Sequence, residues 1–185
     1  MNRPPISEFQ DIINFAASLL SEATGRALVV LGAARLEEEV RDVLVIACPG
    51  LDSEQRSHSY RIDVLVSTGV LSQDVAFCLK KVARIRNYFA HSSSATGLGD
   101  SKVASEVASL YSKLEQTVGL SALSGSMFTQ MIGKIPHGLP PTTWVDDDFK
   151  KYQTSIVLLL WHLVIVRHNV PTRPIPLQMS RDGYW

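Results

Sequence analysis

The sequence has few cysteines and no surplus of charge, and each of these shortages excludes a class of protein. Its two cysteines, Cys48 and Cys78, lie among apolar residues without ligand-like spacing, which predicts buried free thiols in a reducing compartment. Lysine plus arginine and aspartate plus glutamate number 18 each. This balance argues against broad, non-specific binding to nucleic acid and leaves only a local basic patch.

Long apolar runs are also missing. The longest one, at 156–166, is well short of the roughly 20 residues that a spanning helix needs. The first residues lack the apolar core of a signal peptide. We therefore expect a cytoplasmic protein without a membrane partner, in which 156–166 is a buried core helix.

The motifs that hold common cofactors are absent as well. No Gly-rich phosphate loop and no serine-nucleophile motif occur. His137, His162 and His168 lack metal-ligand spacing, and the run at 146–148 is typical of acidic residues at a helix start. The sequence predicts neither a metal nor a cofactor.

Apolar residues recur three or four positions apart, which predicts an all-α bundle of about six helices in a single domain at 1–170. A long loop at 119–141 and an extended Pro-rich tail at 171–185 complete this prediction. The small residues at 32–34, in the middle of the second predicted helix, predict a close contact with another helix. No strand pattern and no internal repeat is present. The first predicted helix starts at a capping box at Ser7, the second runs from Arg26 to Ala47 and the third through 60–69. The fourth runs from Gln73 to about Ala90 after a cap at Ser72, and the fifth from Ser101 to Val118. The last runs from a capping box at Thr143 and Asp146 to near Asn169.

A polar cluster interrupts the fourth predicted helix. Arg86 falls on the same face as the apolar residues of that helix, while Asn87 and His91, four apart, share a neighbouring face. A guanidinium on an apolar face needs a carboxylate, a phosphate or an exit to water. One interpretation is a structural clasp, in which Arg86 pairs with Asp63 or one of 37–39 and His91 caps the last carbonyls. The other is a catalytic site, and residue types alone favour the clasp.

Three segments, in this order, carry a resemblance to a known family. They are RALVVLGAARLEEEV at 26–40, YRIDVLVSTGVLS at 60–72 and IRNYFAH at 85–91. Over about residues 8–120 the sequence resembles the MltR family, the mannitol operon repressor-like proteins. The last segment also has the form of the R-x-x-x-x-H motif of HEPN domains, an all-helical superfamily.

The resemblance implies two functions from different classes. Many HEPN members are metal-independent endoribonucleases, acting as toxins or in phage defence, whose motif works at a dimer cleft. By position, Arg86 and His91 would be catalytic and Asn87 would assist, in a homodimer with an RNA substrate and an antitoxin or regulatory protein partner. The toxin branch often has a tyrosine where this chain has Ser93. MltR-like proteins are associated with transcriptional repression, so the alternative is a non-catalytic regulator acting through protein contacts.

The chemistry of the first alternative fits these residue types. Metal-independent RNA cleavage needs a base for the 2′-hydroxyl, an acid for the leaving oxygen and a fixed cation for the developing charge. Histidine serves the proton transfers and arginine the charge. Lys80, Lys81 and Arg84 are candidates for binding the flanking phosphates, although a solvated face is the commoner role of such residues. A helix-turn-helix spanning the third and fourth helices is disfavoured because the second of them is mostly apolar.

Overall fold

The computed structural model of the protein describes residues 5–22, 25–51, 55–91, 98, 100–118 and 148–170. Within these residues the fold is entirely helical, with six helices and no strand, which confirms the predicted class. No helix in this part of the chain is long and apolar enough to cross a bilayer. The helices are α1 (Ile6–Glu22), α2 (Gly25–Ala47), α3 (His58–Ser67), α4 (Gln73–His91), α5 (Ser101–Val118) and α6 (Asp148–Asn169).

Local hydrogen bonds explain where several helices begin and end. The Ser72 hydroxyl accepts a hydrogen bond from the Val75 N–H at 3.3 Å, which confirms the predicted cap of α4. Gly69 follows α3 with a φ of +72°, a conformation that favours glycine. The cap predicted at Ser7 is wrong, because α1 already begins at Ile6 and Ser7 lies in its first turn.

Helix α2 is the central helix of the bundle. It packs against α6, α4, α3 and α1, while α5 packs against α4 and α6. The inner face of α2 contributes its buried aliphatic residues to one continuous core, and the last helix adds an apolar run, as predicted. The core members from α2 and α6 include Leu28, Val29, Leu36, Val40, Val43, Leu44, Tyr152, Ile156, Leu159, Leu160 and Leu163.

Small residues bring α2 and α6 close together at one point. A Cβ atom added at Gly32 would lie 3.1 Å from Cγ1 of Ile156, which is tighter than ordinary packing allows. Ala33 is buried beside it. The sequence predicted that 32–34 would form a close helix contact. This prediction is confirmed for Gly32 and Ala33, whereas Ala34 faces solvent.

A charged cluster joins α1 to α2 and α6. Arg167 donates a hydrogen bond to Glu8 at 2.5 Å and lies 3.7 Å from Glu39, whose side chain is only 1% exposed. Arg35 donates to the other Glu39 oxygen at 2.8 Å, and the His168 ring lies 2.9 Å from Glu8. The cluster therefore anchors the start of α1 to the end of α6.

The two carboxylates of this cluster differ in their pKa values. Burial raises the pKa of Glu39, and the positive charges of Arg167 and Arg35 only partly oppose that effect. Burial also acts to raise the pKa of Glu8, but the hydrogen bond with His168 and the charge of Arg167 outweigh it and lower that pKa. Arg167 thus lies beside two carboxylates, one with a lowered pKa and one with a raised pKa.

The loop predicted at 119–141, the box at Thr143 and Asp146 and the tail at 171–185 lie outside the described residues.

Candidate functional site

The polar cluster lies at the C-terminal end of α4. Seven apolar side chains of this helix are buried in the core, so α4 is a core helix, and one side of it, with Phe77, Arg84, Asn87 and His91, is exposed. Arg86 lies among the buried residues in sequence, yet its side chain keeps 33% of its surface exposed. The helix therefore holds the base of Arg86 in the core and its tip near the surface.

Arg86 is paired with a carboxylate, as the clasp interpretation requires. Its Nη2 atom donates a hydrogen bond to Oε1 of Glu37 on α2. The Nε atom is buried and has no hydrogen-bond partner. Glu37 is 28% exposed, so water reaches both members of the pair. Asp63, the other predicted partner, instead binds Lys80 at 2.5 Å.

Two further groups feel the charge of Arg86. Burial lowers the pKa of His58 to about 4, with smaller contributions from the charges of Arg61 and Arg86. Burial also raises the pKa of Tyr152, which the charge of Arg86 opposes. The Tyr152 hydroxyl donates to the Val29 carbonyl at 3.5 Å. Both groups are therefore neutral at physiological pH.

Sequence reasoning missed His58 and Tyr152. His58 follows a polar stretch in which apolar residues do not recur at helical spacing. Tyr152 begins the apolar part of α6, where its sequence context is the same as that of an ordinary aromatic residue of the core. Neither has a spacing that relates it to Arg86. Only the packing of α3 and α6 around α4 and α2 brings them near.

Asn87 and His91 are open to solvent. Both side chains are exposed, on one side of the last turn and a half of α4. The predicted capping contact of His91 is not formed, because its ring has no hydrogen bond with any residue that the structure describes. His91 is therefore an exposed side chain at the end of α4.

The three predicted phosphate-binding residues face carboxylates of the same chain. Lys80 binds Asp63, and Lys81 donates a hydrogen bond to Glu106 on α5. Arg84 lies 3.7 Å from Glu106 and is 68% exposed. The hydrogen bond from Lys81, against a smaller effect of burial, lowers the pKa of Glu106 and keeps it ionised. A phosphate at this surface would have to compete with these carboxylates for the basic side chains. This competition is weakest at Arg84, the most exposed of the three residues.

No cluster of three histidine, cysteine, aspartate or glutamate side chains suited to a metal ion occurs among the residues described. Comparison of the chain with protein-family models, curated proteins and solved structures gives no match.

Proposed function

We propose that the protein is a metal-independent endoribonuclease of HEPN type whose site comprises Arg86, Asn87 and His91. The observation that carries this proposal is the open position of His91 and Asn87 beside an arginine held by Glu37. The clasp interpretation has His91 cap the last carbonyls of α4, and its ring makes no such hydrogen bond with the residues that the structure describes. An exposed histidine at the end of a helix is instead free to exchange protons with a bound molecule.

Each residue then has a defined role. His91 takes the proton from a 2′-hydroxyl or returns one to the leaving oxygen. Arg86 stabilises the negative charge that develops on phosphorus, and Glu37 fixes the guanidinium so that it need not reorganise during the reaction. Asn87 donates a hydrogen bond from the same side of the helix as His91. Because one chain supplies a single histidine here, a second copy supplies the other proton-transfer group.

The second candidate is the non-catalytic regulator, and one observation favours it. Arg86, Lys80 and Lys81 are each paired with a carboxylate of the same chain, which leaves little free positive charge for an RNA backbone. In this role the Arg86–Glu37 pair joins two helices, and the exposed surfaces of the bundle contact a protein partner.

Cleavage of single-stranded RNA in the presence of EDTA separates the two candidates. A nuclease of this type leaves 2′,3′-cyclic phosphate ends and spares a DNA copy, which lacks the attacking hydroxyl. His91→Ala and His91→Gln should each lower the cleavage rate at least about 100-fold, because the proton transfer is lost. Gln116→Ala, an exposed change on α5, is the matched control and should leave the rate unchanged.

The variants are compared only as folded proteins, judged by circular dichroism. Wild-type protein that leaves varied RNAs intact, or His91→Ala that cuts as fast as wild type, refutes the nuclease and leaves the regulator as the function of this chain.

A further inference from the structure

Helix α2 is central in the bundle, yet one of its sides is open and apolar. Four of the six exposed large hydrophobic side chains among the described residues belong to α2. Leu31 is 51% exposed and Val45 is 50% exposed, and Val30 and Ile46 flank them. Single exposed apolar residues are ordinary, but their concentration on one core helix is typical of an interaction surface.

The open side has a regular composition. Five exposed residues follow one another at spacings of three and four and therefore share one side of the helix: Leu31, Ala34, Glu38, Arg41 and Val45. We refer to them as the α2 outer face. This face is apolar at both ends and carries one negative and one positive charge in its middle. Glu38 is 53% exposed and lies 3.1 Å from Arg35 of its own chain, and Arg41 is 44% exposed and lies 3.7 Å from Asp42, so both charges also remain open to a partner.

We infer that the α2 outer face binds the α2 outer face of a second copy of the chain in antiparallel orientation. A parallel pairing would place Glu38 against Glu38 and Arg41 against Arg41. An antiparallel pairing with its two-fold axis near residue 39 places Glu38 against Arg41 of the second copy, and by symmetry does so twice. Ala34 then lies opposite Val45, and Leu31 lies within about one helical turn of Val45.

Charges beside the face favour the same register. Arg35 and Asp42, both partly exposed, lie together along one edge of the outer face. The axis near residue 39 also brings Arg35 of one copy towards Asp42 of the other. Moving the register by about three residues would instead put Glu38 against its own counterpart and Arg35 against Arg41. Charge complementarity therefore selects one alignment.

The pairing of the two α2 outer faces also determines where the two Arg86 side chains of the dimer lie. The importance of their position rests on the proposed function. Glu37 lies on the edge of α2 that faces α4, close to the level of the axis. A two-fold axis that exchanges antiparallel helices keeps the same edge of both on one side of the pair. Both Glu37–Arg86 pairs therefore lie on the same side of the dimer. The interface itself does not depend on RNA cleavage.

Charge reversal tests the pairing in the full-length protein. Wild type is expected to be a dimer at micromolar concentration by light scattering. Glu38→Lys or Arg41→Glu alone places like charges opposite one another at two sites and should raise the dissociation constant at least about tenfold. The double variant Glu38→Lys/Arg41→Glu restores opposite charges and should restore the dimer. Phe77→Ser, which removes an exposed apolar residue from α4, should leave it unchanged.

Cysteine cross-linking tests the alignment directly. Chains carrying Ala34→Cys and chains carrying Val45→Cys, when mixed and oxidised, should form a disulfide between position 34 of one and position 45 of the other. Cys48 and Cys78 are buried and should not take part.

A folded wild type that is monomeric, with its α2 outer face empty or covered by its own chain, overturns the inference. A folded double variant that stays monomeric overturns it as well. So does cross-linking that joins only identical positions of the two chains. RNA cleavage is not a readout here: a dimer that cuts no RNA removes the proposed function alone. A monomer that cuts RNA removes the interface and the contribution of a second copy to the site, and leaves the nuclease activity itself standing.

Discussion

Arg86 of α4 and Glu37 of α2 are 49 residues apart in the sequence and joined by a hydrogen bond between guanidinium and carboxylate. Neither side chain is fully buried, since 33% and 28% of their surfaces remain exposed. The pair therefore links two core helices at a point that water reaches. The exposure of the pair determines how much the free energy of unfolding falls when Arg86 is replaced.

We expect Arg86→Ala to lower the free energy of unfolding by about 1 to 2 kcal/mol. A carboxylate left fully buried and unpaired would cost about 3 to 5 kcal/mol, but Glu37 can be hydrated after the change. A double-mutant cycle with Glu37→Ala in urea should give a coupling energy of about 1 kcal/mol. A loss above about 3 kcal/mol would mean that the pair is shielded from water, and no coupling would mean that the hydrogen bond does not stabilise the fold.

The two acids around Arg167 should respond to pH in opposite directions. The pKa of Glu8 is lowered in the folded protein, so its stabilising effect is present above pH 4.5 and is lost as the pH falls. The pKa of Glu39 is raised, so the folded state loses stability at this group as the pH rises above 4.5. Relative to wild type, Glu8→Gln should therefore become less stable with rising pH, and Glu39→Gln more stable. Urea unfolding across this range measures both, and parallel trends for the two variants would contradict the assignment.

His58 should stay neutral in the folded protein well into the acid range. Its pKa is lowered from 6.5 to about 4 by burial and by Arg61 and Arg86. Between these values the unfolded chain binds a proton that the folded chain does not, so wild type should lose stability as the pH falls from 6.5 towards 4. His58→Gln should lack this part of the pH dependence. A titration of the His58 ring by NMR with a midpoint near 6.5 would show that the ring is not shielded.

Both thiols should be inert in the native protein. Cys48 and Cys78 are buried, and burial raises the pKa of Cys78 to about 11 against the small opposing charge of Lys113. The thiolate, which is the reactive form, is therefore scarce at neutral pH. Mass spectrometry after treatment with iodoacetamide should find no label on the folded chain and two labels on the urea-unfolded chain. Rapid labelling of Cys78 under native conditions would mean that α4 opens locally.

The helices could be predicted because their signals are local. Ser72 and Gly69 mark helix boundaries through their own side chain and backbone, whatever else the chain does. The start of α1 was predicted wrongly at Ser7, because either of two neighbouring residues can begin a helix. Which of them does so depends on the backbone conformation of the preceding residues. Ala34 was predicted in a helix contact because small residues do not reveal which side of a helix is covered.

The candidate site was predictable only in part. Periodicity placed Arg86 on the inner side of α4 and restricted its partner to a few acids, but the choice of Glu37 over Asp63 depends on how α2 and α3 pack around α4. His58 and Tyr152 come near Arg86 through tertiary packing alone. That information is absent from any single segment of sequence.

The contacts of α6 have a consequence for how the chain is synthesised. This helix is the last of the six, yet it covers the inner side of α2 at Gly32 and holds α1 through Glu8. On a ribosome the first five helices emerge before it, so the part of α2 that α6 covers stays open until residue 170 has left the exit tunnel. We expect the nascent chain to remain a chaperone substrate until that moment, because its decisive contacts are those most distant in sequence.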